Sequence, residues 1–191
     1  MLVVLGGLPG VGKTTLARAL SQHLQAVHVR IDTIEQAIRS SGMLRSDVGP
    51  AGYIVGYAVA QDNLRVGRTV VADSVNPLAV TRQAWRAVAE RASLPVVEIE
   101  LVRTHLEDHR HVIETRSSDI VGLTPPTWAQ VNEYVYEPWD RPHVVIDTSY
   151  RTAGDCVQEA LVAIERAFTT HRDAAQSSSV ASTDPPAVLD L

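Results

Sequence analysis

Lysine occurs once in this 191-residue chain, at Lys13, while every other long cationic side chain is an arginine. It stands in the run Gly7-Leu8-Pro9-Gly10-Val11-Gly12-Lys13-Thr14-Thr15, whose Gly-x4-Gly-Lys-Thr spacing is that of a P-loop. Glycines let a backbone close around phosphate oxygens with its N–H groups turned inward. A helix beginning there aims the positive end of its dipole at the same anion. Lys13 adds a compact ammonium for the terminal phosphates of a nucleotide, a place for which arginine's planar fork is too bulky. Thr14 offers a hydroxyl to Mg²⁺, and Gly10, Val11, Gly12, Lys13, Thr14 and Thr15 form the expected phosphate-binding set. The plainer reading is a glycine-rich strand-to-helix turn that holds no ligand.

Two carboxylates follow apolar runs. Asp32, in "VHVRIDTIEQAI", falls where ligands of open α/β sheets collect, beyond the carboxyl end of a strand. There it can accept the proton of an acceptor hydroxyl and orient it in line with a phosphoryl group. Asp32-Thr-Ile-Glu35 is equally a capping box that only begins a helix. Asp73 ends "GRTVVAD" in the manner of a Walker B aspartate holding Mg²⁺, or else in a simple strand-ending turn with Ser74, Asn76 and Pro77. Arg110 and Arg116 precede a turn-rich stretch and are expected to close over developing phosphoryl charge while water is excluded. Their alternative is an exposed helix face paired with acidic neighbours. Tyr53, Tyr57, Asn76 and Arg82, with Asp32 and Asp73, are the candidates for the acceptor pocket. His105 and His109 have helical i, i+4 spacing but no further metal-ligand frame, and read as surface residues.

The elements that must position these groups are legible as periodicity. Short β-branched runs alternate with longer amphipathic ones, the pattern of a parallel sheet covered by helices. Strands are expected at 2–6, 27–31, 69–72, 95–102 and 143–146. Leu16, Leu20 and Leu24 give the helix after the glycine run one apolar face, and further helices are expected over 53–66 and 77–91. Thr104-His-Leu-Glu107 has capping-box form and should start another. Residues 117–142 break the periodicity with "GLTPPTW" and "YEPWDRP", and are read as a mobile lid on a domain of residues 1–170. From 171 to 191 the chain turns Ser-, Ala- and Pro-rich, a tail expected to be disordered.

A formal net charge of −5 offers no electrostatic footprint for nucleic acid. No apolar stretch has the length of a membrane span, and Leu2–Leu5 is too short for a signal-peptide core. The one cysteine, Cys156, forms no internal disulfide, which fits a reducing cytoplasm. The arginine, alanine and valine usage has a bacterial cast.

Taken together, these motifs resemble the P-loop small-molecule kinases that include chloramphenicol phosphotransferase, zeta-toxin-like kinases, and gluconate and adenylylsulfate kinases. The likeness to the chloramphenicol phosphotransferase-like branch runs to about residue 168. It is carried by the P-loop, "IDTIEQAI", "GPAGYIVGYAVAQDNLRVGRTVVADS", "ETR" and "VVIDTS". It implies a P-loop NTPase fold, with a five-stranded parallel sheet, helices on both faces and a helical lid. It also implies a base at Asp32, a Walker B role for Asp73, lid arginines at Arg116 and Arg110, and a base-binding loop near Thr148 to Arg151. The expected activity is transfer of the γ-phosphate of ATP, or of GTP in its place, with Mg²⁺, to a hydroxyl of a nucleoside, sugar or antibiotic-like molecule. The rivals are a polynucleotide 5′-kinase and a non-catalytic nucleotide-dependent regulator. The acceptor's identity and the oligomeric state are not readable from these residues.

Overall fold

The structure, a computed structural model, describes residues 1–43 and 46–180. Five strands, β1 (Leu2–Gly6), β2 (Val27–Arg30), β3 (Val70–Asp73), β4 (Val96–Val102) and β5 (Val144–Asp147), pair in parallel in the order β2-β3-β1-β4-β5. The helices are α1 (Lys13–His23), α2 (Ile31–Ser40), α3 (Ala51–Arg65), α4 (Ala79–Arg91), α5 (Leu106–Thr115), α6 (Trp128–Asn132) and α7 (Ala153–Val180). No described helix is long and apolar enough to cross a membrane.

Every residue of β1 is buried, because the central strand is covered on both faces. Its side chains alternate between two cores. Val3 and Leu5 pack with Leu16 and Leu20 of α1 and Ile164 of α7, whereas Leu2 and Val4 pack with Ala60 and Leu64 of α3 and Trp85 of α4. With helices on both sides, the carboxyl end of β1 is the one place where its loop can emerge, and the glycine run emerges there.

Several boundaries differ from expectation for identifiable reasons. β2 stops at Arg30 rather than 31 because α2 starts at once, with Arg30 in extended conformation as its N-cap. Asp32 is therefore inside the first turn and makes no capping bond. α4 starts at Ala79 rather than 77: Asn76 takes φ 49° and the extended Leu78 is the N-cap. The Thr104 capping box does not form. Thr104 Oγ1 instead donates to Asp147, and the Nδ1 of His105 accepts from the Asp108 N–H at 3.3 Å as the cap of α5. The stretch 117–142 contains only one short helix, α6, started by a Thr127–Gln130 capping box; the rest is loop. Residues 171–180, expected to be disordered, continue α7, a helix already nucleated by its packed N-terminal half. The remainder of the expected tail, 181–191, lies outside the described residues.

Candidate functional site

The turn between β1 and α1 is held open by glycine conformations. Gly12, the N-cap of α1, has φ 97°, a left-handed value that side-chain-bearing residues adopt only at a cost. The turn is braced from two sides. Thr148 Oγ1, just past β5, donates to Val11 O at 3.0 Å, and buried His109 of α5 bonds Pro9 O through Nε2 at 2.7 Å. Burial lowers the pKa of His109, with Arg103 and Lys13 adding to the effect, so the ring is neutral and Nε2–H is the donor to the carbonyl. His109 is thus an internal support of the turn, not the surface residue expected from its spacing. His105 is a helix cap.

Lys13 is 8% exposed and donates from Nζ to Leu8 O at 2.8 Å. Burial pulls its pKa down to about 8, against the opposing charges of Asp73 and Asp32. Those two carboxylates are the groups expected around a terminal phosphate, and the fold has brought both within electrostatic reach of one ammonium. Asp73 is 3% exposed at the end of β3, opposite Leu5 and Arg30 in the sheet register. Its Oδ2 lies 3.2 Å from His28 Nε2 and 3.8 Å from Arg30 Nε. Asp32 influences Arg116, Glu35 and Tyr134 as well as Lys13. Without a capping bond, it sits in the electrostatic neighbourhood of two cations, a phenol and a second carboxylate.

The two lid arginines separate. Arg116 is the C-cap of α5; burial lowers its pKa, Asp32 raises it, and its buried Nε has no hydrogen-bond partner among the described residues. Arg110 is exposed and paired with Glu114 at 2.8 Å. Only Arg116 joins the cluster; Arg110 takes the plainer alternative of an exposed helix face.

The expected acceptor-pocket residues are corrected more sharply. Asn76 is fully buried: its Nδ2 donates to Leu5 O at 2.7 Å, its Oδ1 accepts from Trp85 Nε1 at 3.0 Å, and its backbone N–H donates to Tyr53 Oη at 3.1 Å. Tyr57 donates to Thr81 O at 3.2 Å and meets Trp85 edge-on. Arg82 is fully buried and donates to the carbonyls of Asn76, Glu137 and Pro138 at 3.1, 3.2 and 2.9 Å, with Trp139 beneath its guanidinium. These polar atoms are turned to partners within the protein, except Arg82 Nε, which is buried without a hydrogen-bond partner among the described residues. The bonds they do make tie the loop after β3 to the far end of the 117–142 stretch, since each bond offsets the cost of burying a polar group.

A second pocket, about 120 Å³, opens beside the turn and is lined by Gly12, Thr15, Arg103, Thr148, Arg151 and Cys156 among others. Arg151 bonds Asp147 O at 3.3 Å and Glu159 at 2.7 Å. Arg103, which the sequence motifs leave unassigned, bridges Thr148 Oγ1 at 3.3 Å and Asp108 at 3.0 Å. The exit of β5 and the start of α5 thereby form two walls next to the phosphate turn.

A family model described as an AAA domain matches residues 2–137. The chain belongs to this family. An adenylyl-sulfate kinase from Chloroflexus aurantiacus is 27% identical over 176 residues, covering 87% of this chain and 89% of the relative. Among solved structures, a gluconokinase from Sinorhizobium meliloti superposes with a TM-score of 0.62 at 18% identity, covering 90% of this chain and 95% of that one. The Mycobacterium tuberculosis APS kinase in complex with AMPPNP and APS gives 0.61 at 18%, covering 86% and 96%. The structural likenesses show the P-loop NTPase fold. With the sequence relatives, they make the chain a nucleotide-binding kinase of this P-loop class.

Proposed function

We propose that the protein transfers the γ-phosphoryl group of ATP to a hydroxyl of a small molecule, with Asp32 as the base. The observation that carries this reading is the convergence of Lys13, Asp32, Asp73 and Arg116 in one electrostatic neighbourhood at the carboxyl edge of the sheet. The turn's N–H groups and Lys13 bind the β- and γ-phosphates, exchanging the Leu8 carbonyl for phosphate oxygens. Asp32 holds the acceptor hydroxyl and takes its proton as the oxygen attacks phosphorus. Arg116, with a free donor at Nε, meets the charge that spreads over the equatorial oxygens. The nucleotide base occupies the pocket bounded by Arg103 and Arg151.

The donor set suits Mg²⁺: the half-buried Thr14 hydroxyl at the start of α1 and the buried Asp73 carboxylate are hard oxygen ligands, and such an ion takes its other ligands from phosphates and water. Mg²⁺ bound there supplies Lewis-acid neutralisation of the phosphates. Among the described residues no group of three or more His, Cys, Asp or Glu side chains forms a separate metal centre.

The chloramphenicol phosphotransferase-like placement rests on "IDTIEQAI" and "ETR" beside the P-loop. The acceptor class is a nucleoside, sugar, antibiotic-like alcohol or nucleotide, the last because the sequence relative is an adenylyl-sulfate kinase. The test is incubation with Mg²⁺ and ATP or GTP against a panel of these alcohols, read by the mass of one added phosphate. Asp32→Asn should bind ATP as the wild type does and lose about 10²-fold or more of the transfer rate. Full transfer by that variant removes Asp32 as base, and no phosphate gain on any class removes the kinase reading of the acceptor side.

A further inference from the structure

The two ends of the 117–142 stretch are fastened by different means. At the far end, the Glu137 N–H donates to Pro77 O at 2.8 Å and its Oε2 accepts from the Ala79 N–H at 2.6 Å. Fully buried Arg82 takes the carbonyls of Glu137 and Pro138, and the Trp139 ring packs so closely on Gly6 that a Cβ there would lie 2.5 Å from it. At the near end, where half-buried Ile120 and Gly122 beside Gln36 also meet the protein, the ion-pair fastening is a single carboxylate. Arg30 Nη1 donates to both oxygens of Asp119, at 3.0 and 2.9 Å, and Arg18 Nη2 donates to Oδ2 as well. Slight desolvation works to raise the pKa of Asp119, yet hydrogen bonds from Arg30 and Arg18 hold it below the ordinary value, so it is charged at neutral pH. The side chains of Arg18 and Asp119 are 52% and 48% exposed. Water and salt reach the whole of this ion pair, whereas at the far end, although Glu137 and Pro138 are themselves exposed, the fastening guanidinium of Arg82 is fully buried.

We infer that Asp119 is a positioning residue: its pairing with Arg18 of α1 and Arg30 of β2 is a releasable latch, whose release lets the lid open while its Glu137–Trp139 end stays fixed. Two consequences give the latch a bearing on the reaction. Asp119 is three residues past Arg116, a span of at most about 10 Å, so pinning one restricts the other. Arg30 also stands 3.8 Å from Asp73, which ties the latch to the acidic groups below the phosphate turn. Released, the stretch loses the only link among the described residues between Asp119 and the sheet, and Arg116 leaves its place beside Asp32. The latch itself follows from the ion pairs alone; its effect on Arg116 rests on the kinase reading above.

The test separates the two. Hydrogen exchange on the intact chain compares residues 117–123 with 136–139 in wild type, Asp119→Asn and Asp119→Glu. Asp119→Asn should speed exchange in 117–123 by about fivefold, a factor set by the upper range for a partly exposed ion pair, and leave 136–139 protected. Asp119→Glu should restore protection, and high salt should loosen wild type but not Asp119→Asn. Unchanged exchange in Asp119→Asn, or equal loosening of both ends, overturns the latch. For positioning, the readout is the ratio of AMPPNP to ADP affinity. Asp119→Asn and Arg116→Ala should each lower it, and the double variant should lower it no further; additive losses overturn the link to Arg116. A wild type that binds neither nucleotide sinks the kinase reading and leaves the exchange experiment to decide the latch.

Discussion

Proton linkage at Lys13 gives the most discriminating prediction, because the lone lysine is also a strongly perturbed one. Burial brings its pKa to about 8 in the free protein, against 10.5 for an ordinary lysine. A bound polyphosphate favours the ammonium form and returns the pKa toward or beyond the ordinary value. Between the two values, binding must therefore take up a proton. Affinity is full below pH 8 and falls as pH rises above it, by up to tenfold per unit, or about 1.4 kcal/mol. Phosphate groups of the nucleotide are already deprotonated in that window, so the slope belongs to the protein. The assay is calorimetric titration with AMPPNP and Mg²⁺ from pH 7 to pH 10 in buffers of different ionisation heat, which counts protons directly. Lys13→Arg should abolish the proton uptake, since arginine does not titrate there. Affinity that is flat to pH 10, with no proton taken up by wild type, would refute the claim that a desolvated Lys13 ammonium carries the phosphate charge.

The remaining predictions concern the arginines. Arg116→Ala should lower phosphoryl transfer by about 10²-fold, in line with the loss of a donor to transition-state charge, whereas Arg110→Ala should leave transfer unchanged because its partner is an exposed Glu114; a rate assay with any accepted alcohol ranks them. Arg82→Ala should cost about 3 kcal/mol or more in chemical denaturation, since it strands the buried carbonyl of Asn76 and the partly buried ones of Glu137 and Pro138 and opens a cavity over Trp139. A variant as stable as wild type would return Arg82 to the pool of candidate acceptor-binding residues.

Some of this molecule was determined in the linear sequence. The glycine run, its lysine and the flanking periodicities require a strand, a phosphate-sized turn and a helix, since those constraints are local and steric. The five strands lie within two residues of where β-branched runs place them, most rigidly β1 and β3, because a strand buried on both faces has few compositions open to it. The same locality explains the failures. Asn76, Tyr53, Tyr57 and Arg82 have the polarity of pocket residues, and only three-dimensional packing shows their donors and acceptors turned inward to Leu5, Trp85, Thr81 and Glu137. His109 and Arg110 are neighbours on one helix, yet one is buried against Pro9 and the other lies in solvent. Helical spacing alone does not say which face meets the sheet.

Asp32 shows the division most clearly. Its residue type and place after a strand allowed either a cap or a base, and the start of α2 one residue earlier puts it inside the first turn rather than at the cap. Arg30, Asp119 and Arg18 are far apart in sequence and carry no motif, so their meeting exists only in the folded chain. Charge interactions act through space across 89 and 101 residues of separation, whereas sequence periodicity reports only what neighbouring residues impose on one another. The phosphate-sized turn was therefore written locally, and the pairing of Asp119 with Arg18 and Arg30 was decided by tertiary structure.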